Sequence, residues 1–303
     1  MKRRNSKPTL PTAFALGLAL LLCTANASAT QVPIPHGTIE IVAQNESIQP
    51  GRDFNLALHF QLEKGWHIYW ANPGDSGEPP RVEWKMPKGI TAEEIEWPTP
   101  RRLGSSTIVD YGYEDAVTLI VPMRTETNLA AEQSAQIVGQ VKVLVCREMC
   151  IPGKAEVSLT LSIKAQTAAP NRKTEGLFAA ARKSLPQHAP QSWKLNVDDA
   201  KSSFVLTANV GHQITRAIFF PLNESQIDNA APQGVVPTDA GFRLTLRKSQ
   251  QLLKPIARLK GVLVLSDDRA YWIDVPVSRT GVPQNNSGMD VQPQHFVEEE
   301  KAT

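Results

Sequence analysis

Two cysteines four residues apart, Cys146 and Cys150, stand out in the stretch VLVCREMCIPG (residues 143–153). Such a pair can staple a turn, hold a soft metal ion, or exchange electrons as a dithiol/disulfide couple. Residues four apart on an extended strand are about 13 Å from one another, whereas a disulfide needs a Cα separation of roughly 4.4–6.8 Å. A bond therefore requires a turn at Arg147-Glu148-Met149, which places the pair at a sheet edge or loop. As a staple it is inefficient: closing so short a loop contributes roughly 2 kcal/mol, against about 3 for a 15-residue loop. Redox use needs a reachable sulfur with thiolate character, which Arg147 favours and Glu148 opposes. Cys146, Met149 and Cys150 also form a soft donor set suited to Cu(I). Against a metal, no second Cys/His group lies at zinc-like spacing, and methionine more often fills gaps than binds ions. From the residues alone the three uses stay open.

Other residues that could do chemistry carry weaker signals. His59 and His67 fall in strand-like segments without a partner at ligand spacing, which suits structural histidines. Ser105-Ser106 has no nucleophile elbow around it. The glycines sit in turns and form no phosphate-cradling motif. Trp66, Ile68 and Trp70 alternate as one face of a strand, the pattern of a core. No cofactor and no metal is assigned.

The amino terminus sets the compartment. MKRRNSKPTLPTAFALGLALLLCTANASAT combines a basic start, an apolar run and small residues at Ala27-Ser28-Ala29, the features of a secretory signal over 1–29. Its apolar run is shorter than the ~20 residues needed to span a bilayer. Cys23 is expected to leave with it, so the three cysteines become two, and export to an oxidising compartment favours their bonding. The formal charge of +2 includes Lys2, Arg3, Arg4 and Lys7, so the remaining chain is slightly acidic. It has no Lys/Arg cluster for nucleic acid or an anionic surface and no further long apolar run. An exported chain without nucleic acid and without membrane insertion after signal cleavage is expected, and the resemblance set out below implies the periplasm as its compartment.

The elements that must position the cysteines are short and β-branched. Across 30–164 the runs TIEIVAQ, DFNLALHFQLE, WHIYWA, RVEWK, VTLIVPM, QIVGQVKVLVC and AEVSLTLSIK alternate with turn clusters such as NPGDSGEPP. Residues 165–190 change character, and EGLFAAARKSLP suits one short helix with Leu177, Phe178, Ala181 and Leu185 near one face. A second strand-rich block over 191–279 contains no cysteine, and 280–303 is polar and aperiodic, as in disordered tails. The class is all-β, two immunoglobulin-like β-sandwich domains joined by a short helical linker.

GWHIYWANPGDSGEPP (65–80), VDYGYEDAVTLIVPM (109–123) and VKVLVCREMCIPGKAEVSL (141–159) together resemble the periplasmic amino-terminal region of DsbD-type thiol:disulfide interchange proteins. The likeness is strongest to the ScsB branch, associated with suppression of copper sensitivity. FFPLNESQIDNAAPQ (219–233) and LKGVLVLSDDRAYWIDVPV (259–277) look like the second β domain of that region. The resemblance implies protein-disulfide reduction, with Cys146 and Cys150 as the exchanging pair and Cys150 forming the mixed disulfide. It implies a cap loop at the cysteines, matched here by Asp110, Tyr111 and Tyr113. It implies periplasmic thioredoxin-fold oxidoreductases as partners. The best-known members have more residues between their cysteines than the three here, so loop geometry and reduction potential should differ. The chain is expected to stand alone, without transmembrane or thioredoxin-like domains, and so to need a separate membrane electron-transfer protein. Two other uses remain: a non-catalytic interaction module with a closed disulfide, and copper handling by Cys146, Met149 and Cys150.

Overall fold

The structure, a computed structural model, describes residues 31–104 and 107–279. The expected signal peptide, the tail over 280–303 and Ser105-Ser106 lie outside the described residues. In chain order the first block contains β1 (Val32–Ile34), β2 (Gly37–Ala43), β3 (Ser47–Ile48), β4 (Phe54–Leu62), β5 (His67–Gly74) and β6 (Arg81–Lys85). There follow β7 (Ile90–Ala92), β8 (Arg101–Gly104), β9 (Val109–Glu114), β10 (Ala116–Thr125), β11 (Gln133–Cys146) and β12 (Cys150–Ile163). Then come α1 (Glu175–Ser184) and β13 (Gln187–His188). The second block holds β14 (Lys194–Asp199), β15 (Ser203–Asn209), β16 (Ala217–Pro221), β17 (Gly234–Thr238), β18 (Gly241–Arg247), β19 (Arg258–Leu265) and β20 (Ala270–Arg279).

The first block is a sandwich of two sheets, with order β1-β2-β4-β10-β7 facing β3-β12-β11-β5-β9-β8, and β6 pairs with β11. Period-two patterning builds it. On β12, Ala155, Val157, Leu159, Leu161 and Ile163 point into the core while Lys154, Glu156, Ser158 and Thr160 face out. Phe54, Leu56, Leu58 and Phe60 of β4 meet them from the opposite sheet. The second block and β13, which pairs with β20, form one eight-stranded sheet whose two halves close on a core that includes Val197, Phe204, Phe219, Leu244, Leu263 and Ile273. The all-β class with a single short helix is what the alternating runs led one to expect. Among the described residues no helix is long and apolar enough to cross a membrane.

The helix does more than connect. Phe178 and Ala181 are buried against Val42, Ala57 and Ile120 on the outer face of the first sheet, with Leu177 and Leu185 packed beside them. Glu175 at its start and Arg182 and Lys183 at its end complement the helix dipole. Replacing Phe178 with Ala should cost ~3 kcal/mol locally. Amide exchange in α1 should then accelerate ahead of the strands, and unchanged protection would show that the helix holds without this contact.

The two blocks share packing. The pairing of β5 with β9 jumps from Tyr69↔Gly112 to Gly74↔Asp110, so Trp70-Ala71-Asn72-Pro73 bulges out of register. Trp70 thereby meets Phe220 and Trp272 of the second block at ring centroid distances of 6.4 and 6.2 Å. Asn72 Nδ2 donates to the Pro221 carbonyl at 2.7 Å. One strand therefore belongs both to the sheet of the cysteines and to the joint between blocks.

Candidate functional site

Cys146 and Cys150 are bonded, with their Cα atoms 4.1 Å apart, and they are the last register pair of the β11–β12 hairpin. Arg147, Glu148 and Met149 make the turn, as the distance argument required. The pair is not at a lateral sheet edge, because Cys146 also pairs with His67 of β5 on its other side. It lies at the end of a strand inside the sheet. Cys146 is only 2 % exposed, while Cys150 is exposed.

Strand parity decides what surrounds the sulfurs. On β11 the odd positions Val141, Val143 and Val145 enter the sandwich core, so Cys146 projects from the opposite, outer face. Ile68 and Trp70 of β5, and Trp66 just before it, are on the core face, leaving His67 and Tyr69 on the cysteine face. The Tyr69 hydroxyl lies 3.4 Å from Cys150 Sγ. A disulfide sulfur has no proton, so the phenol is the donor there. The His67 ring meets Tyr69 edge-on at 5.3 Å, and its Nε2 is buried with no partner among the described residues. Burial lowers the His67 pKa below its ordinary value, and nearby Asp110 and Glu114 pull it partly back. His59, by contrast, is satisfied by Thr118 at 2.9 Å. The expectation of a structural, satisfied histidine thus fits His59 and not His67.

Parity also corrects the cap loop. Residues 109–114 are strand β9 and not a loop, paired with both β5 and β8. Tyr113 is the register partner of Ile68, so Tyr111 and Tyr113 face the core, on the side of the sheet away from the disulfide. Their hydroxyls donate to Asn229 Oδ1 at 2.9 Å and to the Pro98 carbonyl at 2.8 Å. Burial pushes both phenol pKa values well up. Asp110 alone of the three lies on the cysteine face. It accepts from the Ser76 backbone N–H at 3.0 Å and from the Ser76 hydroxyl at 2.9 and 3.0 Å. Burial raises its pKa, and the Ser76 hydrogen bonds act in the opposite direction.

The segment that does lie over the site is the turn after β5. Gly77 has φ of +80°, and a Cβ there would fall 2.1 Å from Tyr69 Cζ, so bare backbone sits against the phenol. Asp110 holds this turn at Ser76. Asp75 holds it too, accepting from Val109 N–H at 2.8 Å and from Asn229 Nδ2 at 2.8 Å. On the other flank the Arg147 guanidinium lies 5.0 Å over the Trp66 ring, which stacks on His36 at 3.6 Å. Met149 projects at the tip, 68 % exposed. While the disulfide is closed, neither cysteine offers a thiolate to a metal.

Tyr69, His67, Ser76, Gly77 and Asn229 were missed as site residues in the sequence. The first two were readable, since a strand whose even positions are core must send 67 and 69 to the other face. Asn229 is 154 residues from Asp75 and left no local signal.

Residues 39–162 match the family model described as thiol:disulfide interchange protein DsbD, N-terminal. Among solved structures, the N-terminal periplasmic domain of ScsB from Proteus mirabilis aligns with a TM-score of 0.62 at 16% identity, over 83% of this chain and 99% of that one. The periplasmic chaperone SfaE aligns over 79% of this chain and 100% of that one at 8% identity, with a TM-score of 0.19. Comparison with curated protein sequences gives no match. Residues 39–162 are thus similar to DsbD-type N-terminal regions, and the ScsB likeness extends the shared fold into the second block.

Proposed function

We propose that this chain, whose residues 39–162 match the DsbD N-terminal family model, is a periplasmic thiol:disulfide exchange protein. Cys146 and Cys150 relay two electrons to thioredoxin-fold oxidoreductases, and a membrane electron-transfer domain re-reduces them. The observation that carries this reading is the asymmetry of the pair: Cys146 is buried and Cys150 exposed at a hairpin tip. A partner sulfur can reach Cys150, form a mixed disulfide and be resolved by Cys146 from within. The staple use is weakened further, because β11 and β12 are already paired along fourteen residues each, up to the cysteines themselves. A covalent bond at the end of that ladder restricts little additional chain.

Access to Cys150 is set by the Ser76–Gly77 turn and Tyr69. Asp110 acts by anchoring that turn, and Tyr111 and Tyr113 by fixing β9 from the core side.

The test is trapping. Cys146→Ser leaves Cys150 without its resolving thiol and should accumulate mixed disulfides with periplasmic thiol oxidoreductases, visible on non-reducing gels. Recovery of monomer alone, while Cys150 alkylates readily, would sink the exchange reading. The couple of the unaltered protein should have a reduction potential above about −300 mV, since inert bridges of secreted proteins lie below that value.

A further inference from the structure

The buried imidazole beside Cys146 has a polar atom that the fold leaves unused. His67 and Cys146 are direct partners across the β5–β11 ladder, so their Cα atoms stand about 4.5–5.5 Å apart and their side chains leave the same face. His67 is 8 % exposed, and its Nε2 has no hydrogen-bond partner among the described residues. A buried polar atom without a partner costs about 1–3 kcal/mol, so a site that keeps one calls for a reason.

We propose that His67 is the proton acceptor for Cys146 during resolution of the mixed disulfide, an inference that rests on the exchange reading above. The step balances as follows. Cys150 is joined to a partner sulfur and Cys146 is a thiol. The Cys146 proton passes to the His67 imidazole, and the Cys146 thiolate attacks Cys150 Sγ. The bond between Cys150 and the partner sulfur breaks, and the partner leaves as a thiolate. The pair is oxidised, the partner gains two electrons, and the imidazolium returns its proton to solvent.

The other groups around His67 are otherwise engaged. Asp110, across from β9, has both carboxylate oxygens on Ser76. Glu114, the register partner of His67 on β9, is exposed and stands one strand farther from Cys146. Tyr69 points its hydroxyl at Cys150, and burial raises its pKa, so it stays a protonated phenol that donates and does not accept the proton. Arg147 lies over Trp66. Burial keeps the His67 imidazole neutral at pH 7, the form that accepts a proton. A buried thiol in apolar surroundings gives up its proton reluctantly, so the resolving cysteine is the one that needs a base.

The experiment uses the reduced full chain and an excess of dithiobis(nitrobenzoate). Cys150 releases one coloured thiolate as it forms the mixed disulfide, and Cys146 releases a second as it resolves it. With His67→Gln the second phase should slow by about a hundredfold at pH 7, the lower end of what positioned proton transfer contributes. Its pH profile should move toward the ordinary thiol range near ~8.5, closing the gap with the unaltered protein by about pH 9. The first phase should be unchanged. An unaltered second phase and profile would overturn the assignment of His67. An inert Cys150, giving no first phase in the unaltered protein, would instead overturn the exchange reading itself. If His67→Gln fails to fold by circular dichroism, His67→Tyr fills the space without a neutral-pH base. The unaltered protein is also decisive alone: a second phase with no inflection below the ordinary thiol range overturns the proposal.

Discussion

Replacing Trp70 with Ala should lower stability by about 3–5 kcal/mol, the range for removing a fully buried large aromatic side chain. Trp70 is 0 % exposed and stands among Tyr111, Phe220 and Trp272, so its removal opens a cavity where the two blocks meet. Because Phe220, Val262 and Ala270 of the second block belong to the first block's core cluster, the unaltered protein should unfold in urea as one transition. Trp70→Ala should split that transition in two. Trp70→Phe should cost less: it keeps a ring and removes a buried indole N–H that has no partner among the described residues. A single unshifted transition in Trp70→Ala would show that the blocks do not depend on this contact.

The second large effect is expected at Tyr69. Its hydroxyl, 3.4 Å from Cys150 Sγ, can donate to the thiolate that appears on reduction. A hydrogen bond to a charged group contributes about 1.5–3 kcal/mol, which corresponds to roughly one to two pH units in the thiol's titration. Tyr69→Phe should therefore raise the Cys150 pKa by that amount and slow its alkylation by iodoacetamide at pH 7 by about tenfold or more. Gly77→Val should reproduce the loss while leaving Tyr69 in the sequence, because a Cβ at Gly77 and the phenol cannot occupy the same space. At pH 10 the variants and the parent should react alike. Equal rates at pH 7 would remove Tyr69 from the chemistry.

The all-β class and the turn between the cysteines were legible because both follow from short-range rules: alternation along a strand and the reach of a disulfide. The helix face was legible as well, since Phe178 and Ala181 are buried and Leu177 and Leu185 pack beside them. The strand character of 109–114 was hidden by Asp110 and Gly112, residues that ordinarily mark turns. Here Gly112 sits opposite Tyr69, and Asp110 is occupied by Ser76 from across the site. His67 was misread because a lone histidine in a strand gives no sign of whether its second nitrogen will find a partner. The joint between the blocks was illegible, depending as it does on a bulge in β5 and on partners more than a hundred residues away.

Asn229 ties the second block to the turn that lies over the cysteine pair. Its amide holds Asp75 and accepts from Tyr111, while its carbonyl accepts from Arg102 at 2.6 Å. The turn over Tyr69 is therefore fastened partly from outside the cysteine-bearing sandwich. Selection can then retune the reactivity of Cys150 through substitutions near Asn229, leaving the hairpin and its partner-facing surface untouched. A fragment ending at 164 would keep both cysteines and their disulfide yet show altered thiol kinetics, having lost the fastening that sets them.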